Sequence, residues 1–146
     1  MKNNLLTDVQ GAALRLYRGG KDESTFGPFL EFEHNTLDNV GHGDKNKYET
    51  ALSLYGSQVI DIKNNLFNRS KGIDMHLVVG EPIVNVTNND FYKSDLLKVT
   101  GDQQYNVENL WTLPIEFADG NDYILTENSP LVDKATDGSN LGRVKK

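Results

Sequence analysis

The 146-residue chain contains no cysteine. Thiol catalysis, disulfide staples and cysteine-based zinc sites are therefore excluded, and the redox compartment leaves no trace in the composition. No apolar run approaches bilayer-spanning length, so no membrane partner is expected. The opening residues, Met1-Lys2-Asn3-Asn4-Leu5-Leu6, lack the apolar stretch that follows the lysine of a signal peptide. Basic residues are outnumbered 15 to 21, for a formal net charge of −6. A general nucleic-acid binder carries the opposite balance. An acidic polysaccharide is disfavoured too, unless the basic residues gather on one face. What is present is ordinary for one globular domain, with 37% hydrophobic and 25% charged residues.

Four segments of the chain align with one another. They are Met1-Lys2-Asn3-Asn4-Leu5-Leu6, Phe32-Glu33-His34-Asn35-Thr36-Leu37, Ile62-Lys63-Asn64-Asn65-Leu66-Phe67 and Val86-Thr87-Asn88-Asn89-Asp90-Phe91. Anchored on Asn4, Asn35, Asn65 and Asn89, they are spaced by 31, 30 and 24 residues. Three positions before the anchor stands Met1, Phe32, Ile62 or Val86; five before, Leu30, Ile60 or Val84; two after, Leu6, Leu37, Phe67 or Phe91. A further apolar position falls ten after the anchor at Leu14, Met75 and Val99, and seventeen after at Leu52, if residues 41–50 carry an insertion. Alternation of period two on either side of an Asn turn is the signature of strands. A spacing of this size is that of a solenoid, in which each unit stacks on the next.

The expected fold is all-β: a right-handed parallel β-helix of about four coils over residues 1–105, closed by an irregular wrap over 106–146. Leu6, Leu37, Phe67 and Phe91 should form one interior column, and Leu14, Leu52, Met75 and Val99 another. Asn suits the turn because it tolerates left-handed backbone and bonds locally, and stacked Asn amides can form a ladder. An antiparallel sandwich is the alternative, but its hairpins favour Asn-Gly or Asp-Gly turns. The two Asp-Gly pairs, Asp119-Gly120 and Asp137-Gly138, both lie in the tail. The wrap is expected to cover the last coil. The first coil begins inside a unit, so Leu6, Val9, Leu14 and Leu16 should need a partner, either a missing N-terminal part of a longer protein or a second subunit, and should fray in its absence.

The run Gly11-Ala12-Ala13-Leu14-Arg15-Leu16-Tyr17-Arg18-Gly19-Gly20, then Gly27-Pro28-Phe29-Leu30 and His34-Asn35-Thr36-Leu37-Asp38-Asn39-Val40-Gly41, resembles the C-terminal β-helix of two-domain polysaccharide lyase family 6 enzymes. Ala51-Leu52-Ser53-Leu54-Tyr55-Gly56 and His76-Leu77-Val78-Val79-Gly80-Glu81-Pro82 fit the same region. The resemblance implies alginate lyase-like chemistry: β-elimination on a uronate polysaccharide, with a lysine base, an arginine acid and a calcium ion on the uronate carboxylate. It places those residues in the family's N-terminal helix, in an Asn-Lys-Ser turn followed one coil later by Leu-Arg-His-Gly. Neither pattern occurs here, and Arg15 lies in Leu-Arg-Leu-Tyr. The resemblance thus implies a fragment of a longer lyase, secreted or periplasmic, with no catalytic residue, no metal ligand and no cofactor in this chain.

The candidate chemistry lies on outward positions. Arg15, Ser53, His76 and Thr100 are read as one column, and Tyr17, Tyr55 and Val78 as the next. Arg15, Tyr17, Arg18, Tyr55 and His76 are the candidate carbohydrate-binding residues, since arginine pairs with uronate carboxylates and tyrosine rings pack on sugars. The competing reading is a solvated or interface-packed face. His42, Lys45, Lys47 and Tyr48 form a basic loop that suits an acidic glycan or an ordinary charged surface. Asp119, Asn121, Asp122 and Glu127 are oxygen-rich but read better as a turn than as a calcium loop. Three functions follow: an accessory, glycan-framing module; an independent lyase using Tyr17, Tyr48 or His76 as base and Arg15 or Arg18 as acid; or a plain interaction module. With the family's motifs missing, the chain is expected not to depolymerise alginate or dermatan sulfate.

Overall fold

In a computed structural model the described residues are 1–18, 28–43, 45, 47, 49–78, 80–118 and 122–144. They form eleven strands: β1 (Leu5–Thr7), β2 (Leu14–Tyr17), β3 (Phe29–Glu33), β4 (Thr36–Asp38), β5 (Leu52–Tyr55), β6 (Val59–Lys63), β7 (Leu66–Asn68), β8 (Ile73–His76), β9 (Ile83–Tyr92), β10 (Leu97–Thr100) and β11 (Asn106–Trp111). Every strand–strand ladder among them is parallel. One sheet runs β1-β4-β7-β9-β6-β3 with β11 also on β9; the other runs β10-β8-β5-β2. Parallel neighbours require long crossovers, and here each crossover is itself made of strands. The architecture is all-β and β-helix-like, and the antiparallel alternative is excluded.

The aligned segments stack in register. Leu6 pairs with Leu37, Leu37 with Phe67, and Phe67 with Phe91. The last two rings stack at 4.6 Å with an interplanar angle of 12°. Leu30, Ile60 and Val84 align beside Phe32, Ile62 and Val86. These side chains form one continuous buried core, and their removal from water is the main stabilising term.

The asparagines divide two tasks between neighbouring positions. The anchors form the ladder: Asn4 Nδ2 donates to Asn35 Oδ1 at 2.9 Å, Asn35 Nδ2 to Asn65 Oδ1 at 3.0 Å, and Asn65 Nδ2 to Asn89 Oδ1 at 2.9 Å. The left-handed backbone belongs instead to the residue before each anchor, with φ of 56° at Asn3, 51° at His34, 62° at Asn64 and 52° at Asn88. A second left-handed column, Asp8, Asn39, Arg69 and Lys93, ends the short strands. A hydroxyl ladder follows it, unforeseen in the sequence: Val40 N donates to Ser70 Oγ and Ser70 N to Ser94 Oγ.

Two expectations about the C-terminal part need correction. The segment assigned to the wrap starts as a strand, β11, whose Asn106 and Val107 pair with Asn85 and Val86. The remainder does not stay on the last strands, which Leu113 meets at Asp90 of β9. It runs back along the asparagine turns, from the last segment toward the first. Asn88 Nδ2 donates to Lys134 O, Thr136 N to Asn64 Oδ1, Arg143 N to Thr36 Oγ1 and Val144 N to Asn3 Oδ1. Leu125, Leu131, Ala135 and Leu141 bury themselves against Leu66. Gly142 is obligatory there: with φ +74°, a Cβ would stand 2.6 Å from Leu66 Cδ1 and 2.7 Å from Thr36 Oγ1. The apolar outer face of β7 attracts the segment, and the turn amides supply bonds along its path.

This strap buries Asp90 completely. Asp90 Oδ1 accepts from Leu113 N at 2.7 Å, while Oδ2 has no partner among the described residues. Burial pushes the carboxyl up to about 6, against the pull of the Leu113 and Tyr92 N–H groups. A raised carboxyl favours the fold when protonated, so its contribution is present below the ordinary pKa and lost as pH rises through about 6. Asp90→Asn is therefore expected to be more stable than the wild type at pH 8, by about 2–3 kcal/mol, with no advantage at pH 3. Urea unfolding at both pH values checks this, and equal midpoints at pH 8 would refute it.

Candidate functional site

The candidate face is the outer surface of β2, β5, β8 and β10. Their alternation turns Leu14 and Leu16, Leu52 and Leu54, Ile73 and Met75, and Leu97 and Val99 toward the core. The register corrects the expected columns by two residues. Leu52 pairs with Ile73, not Met75, and Met75 pairs with Leu54 and Val99. The outward rows are consequently Arg15–Ser53–Asp74–Lys98 and Tyr17–Tyr55–His76–Thr100. A shift of two preserves which side chains face inward. Apolar alternation therefore could not distinguish the registers.

The corrected register brings His76 into the tyrosine row and moves Asp74 opposite Ser53. Tyr17 and Tyr55 stack with ring centroids 5.2 Å apart at 29°, and Tyr55 and His76 lie 5.6 Å apart at 34°. Tyr17 is 69% exposed and Tyr55 37%, so the row borders solvent. His76 Nε2 is 3.2 Å from Asp74 Oδ2. Asp74 Oδ1 is buried and has no hydrogen-bond partner among the described residues. Arg15 and Lys98 are exposed at opposite ends of the first row. The face can thus offer two cations, two phenols and an oriented imidazole.

Arg18 lies just past the end of β2. It follows outward Tyr17 and has the inward parity of Leu14 and Leu16, with its N–H donating to Tyr55 O at 3.0 Å. Val78, expected beside Tyr55, lies beyond the end of β8, because His76 takes that place. Asp74 and Lys98 are the functional candidates that sequence reasoning missed; the polar position two before His76 was their only signal.

The other candidates lie elsewhere. In the inserted loop His42 Nε2 donates to Arg69 O at 2.8 Å, and Tyr48 falls outside the described residues. His42 borders a shallow cavity with Asp8, Val9, Gln10, Asn39 and Gly43. His34 is buried under the strap, its Nδ1 donating to Gly142 O at 3.2 Å. Asp119 and Asn121 are outside the described residues as well. Among the described residues no three His, Asp or Glu side chains converge.

No family model matches the chain, and no curated protein does. Solved structures do match. One is a polysaccharide lyase family 6 alginate lyase, AlyGC, 36% identical, with a TM-score of 0.69 over 75% of this chain. The match spans only 16% of that enzyme's own chain. Identity at this level across a shared parallel-strand architecture bears out the resemblance carried by the sequence motifs: the chain is a relative of polysaccharide lyase family 6, corresponding in length to a small part of such an enzyme.

Proposed function

We propose that the chain is a right-handed parallel β-helix of about four coils, and that it serves as the accessory C-terminal module of a family 6-type lyase. It frames an acidic, alginate-like polysaccharide on the β2-β5-β8-β10 face, while β-elimination belongs to a separate catalytic domain. Right-handed crossovers are the rule for parallel strands in one sheet. The observation that carries the reading is the alginate-lyase relationship of a chain with no Asn-Lys-Ser and no Leu-Arg-His-Gly. The exposed row of Tyr17, Tyr55 and His76, flanked by Arg15, supplies the contact surface. Calcium, which the family uses on the uronate carboxylate, belongs in this reading to the catalytic domain. The half-buried residues Leu6, Val9, Leu14 and Leu16 at the β1 and β2 edges receive the preceding coil of that domain. A secreted or periplasmic location follows from the substrate.

Titration calorimetry of the 146-residue chain with alginate oligomers tests the proposal. Binding is expected, weakened about tenfold in Arg15→Ala, the size of one lost charge-assisted hydrogen bond. Absence of binding to any uronate polymer would overturn it. An independent lyase would instead release unsaturated uronate steadily, and lose this activity in Arg15→Ala or Arg18→Ala.

A further inference from the structure

The stacked rings decide how a glycan can meet this face. Neighbouring strands lie about 4.8 Å apart, and the Tyr17 and Tyr55 centroids lie 5.2 Å apart in a stacked arrangement. The ring normals therefore point along the direction in which strands stack, not out of the sheet. One face of Tyr55 is covered by Tyr17 and the other lies against His76. A sugar approaching perpendicular to the sheet finds ring edges, and one open ring face remains, that of Tyr17 on the edge strand β2. Docking a pyranose flat on Tyr55 would require breaking both ring contacts, each of which contributes to holding the row.

What the row offers to solvent is its hydroxyl edge. Among the described residues neither the Tyr17 nor the Tyr55 hydroxyl meets a hydrogen-bond partner. A phenol both donates and accepts. The hydroxyls recur one strand apart, beside Arg15 at one end of the adjacent row and Lys98 at the other. Asp74, the acid of that row, has Oδ2 within 3.2 Å of His76 Nε2 and Oδ1 buried.

Building on the accessory-module reading, we infer that this face takes an extended, linear polyuronate lying across the strands, one sugar per strand, held on β2 and β5 through the tyrosine hydroxyls. An extended 1,4-linked pyranose chain advances by about one strand spacing per residue, so its carboxylates and hydroxyls meet one donor at each step. A compact or branched oligosaccharide cannot keep this match. Affinity for alginate oligomers should therefore rise with length and level off near four sugars, the number of strands in the sheet.

The test compares Tyr17→Phe/Tyr55→Phe with Tyr17→Ala/Tyr55→Ala by calorimetry on oligomannuronates of increasing length. Both side chains are exposed, and Phe preserves the stack, so the fold is expected to persist with an unchanged thermal midpoint. The Phe double variant should lose about tenfold in affinity, as much as the Ala variant. Retention of wild-type affinity by the Phe variant, with loss only in the Ala variant, would assign binding to ring faces and overturn the inference while leaving the accessory-module reading intact. No binding by the wild-type chain would remove both.

Discussion

Asn65→Ala is expected to destabilise the chain by about 4 kcal/mol, because it leaves several buried polar groups unsatisfied at once. Asn65 is fully buried. Its Oδ1 accepts from Asn35 N at 2.8 Å and from Asn35 Nδ2 at 3.0 Å. Its Nδ2 donates to Phe32 O, Lys63 O and Asn89 Oδ1. Each buried donor left without a partner costs about 1–3 kcal/mol. Asn4→Ala is the control. Asn4 stands at the open end of the ladder, half-buried, and its loss should cost only about 1 kcal/mol. Denaturant unfolding of both variants decides the matter. Equal, small losses would mean that the ladder contributes no more than an exposed turn.

Phe67→Ala should cost about 3–5 kcal/mol, the range for emptying a core aromatic position. Phe67 is fully buried between Leu37 and Phe91, with its ring stacked on that of Phe91. Backbone hydrogen bonds hold β4, β7 and β9 at fixed spacing, so the walls cannot collapse into the cavity. Phe29→Ala makes the comparison: the same side chain, 59% exposed on β3, should change stability by no more than about 0.5 kcal/mol. A loss below about 1.5 kcal/mol at Phe67 would contradict a rigid, continuous core.

Much of this was legible in the chain itself. Strand identity, the Asn4–Asn35–Asn65–Asn89 ladder and the Leu6–Leu37–Phe67–Phe91 column all follow from alternation and spacing, which are local properties. The register of β5 on β8 did not follow. Period-two alternation is unchanged by a slip of two, so Met75 and Ile73 were equally good partners for Leu52. Backbone packing decided between them. Gly72, just before β8, accepts the N–H groups of both Ala51 and Leu52 through its carbonyl. A Cβ on Gly72 would stand 2.5 Å from Asp95 O. The carbonyl bonds hold Ile73 opposite Leu52 and carry His76 to Tyr55, while the close approach seats β8 against the segment entering β10.

The path of the C-terminal segment was equally hidden, because residues 112–144 have no periodicity to read. Its partners are scattered through the chain: Leu66 for its apolar side chains, and Asn3, Thr36, Asn64 and Asn88 for its polar bonds. The sequence by itself determined the strands, the in-and-out pattern, the asparagine ladder and the family relationship, since each is encoded over a few neighbouring residues or in recognisable motifs. Only the tertiary structure decided the register of the candidate face, the pairing of Asp74 with His76, the edge-on stance of the tyrosines and the burial of Asp90. All four depend on which distant backbones come within a few ångströms of one another, and period-two patterning carries no information about that distance.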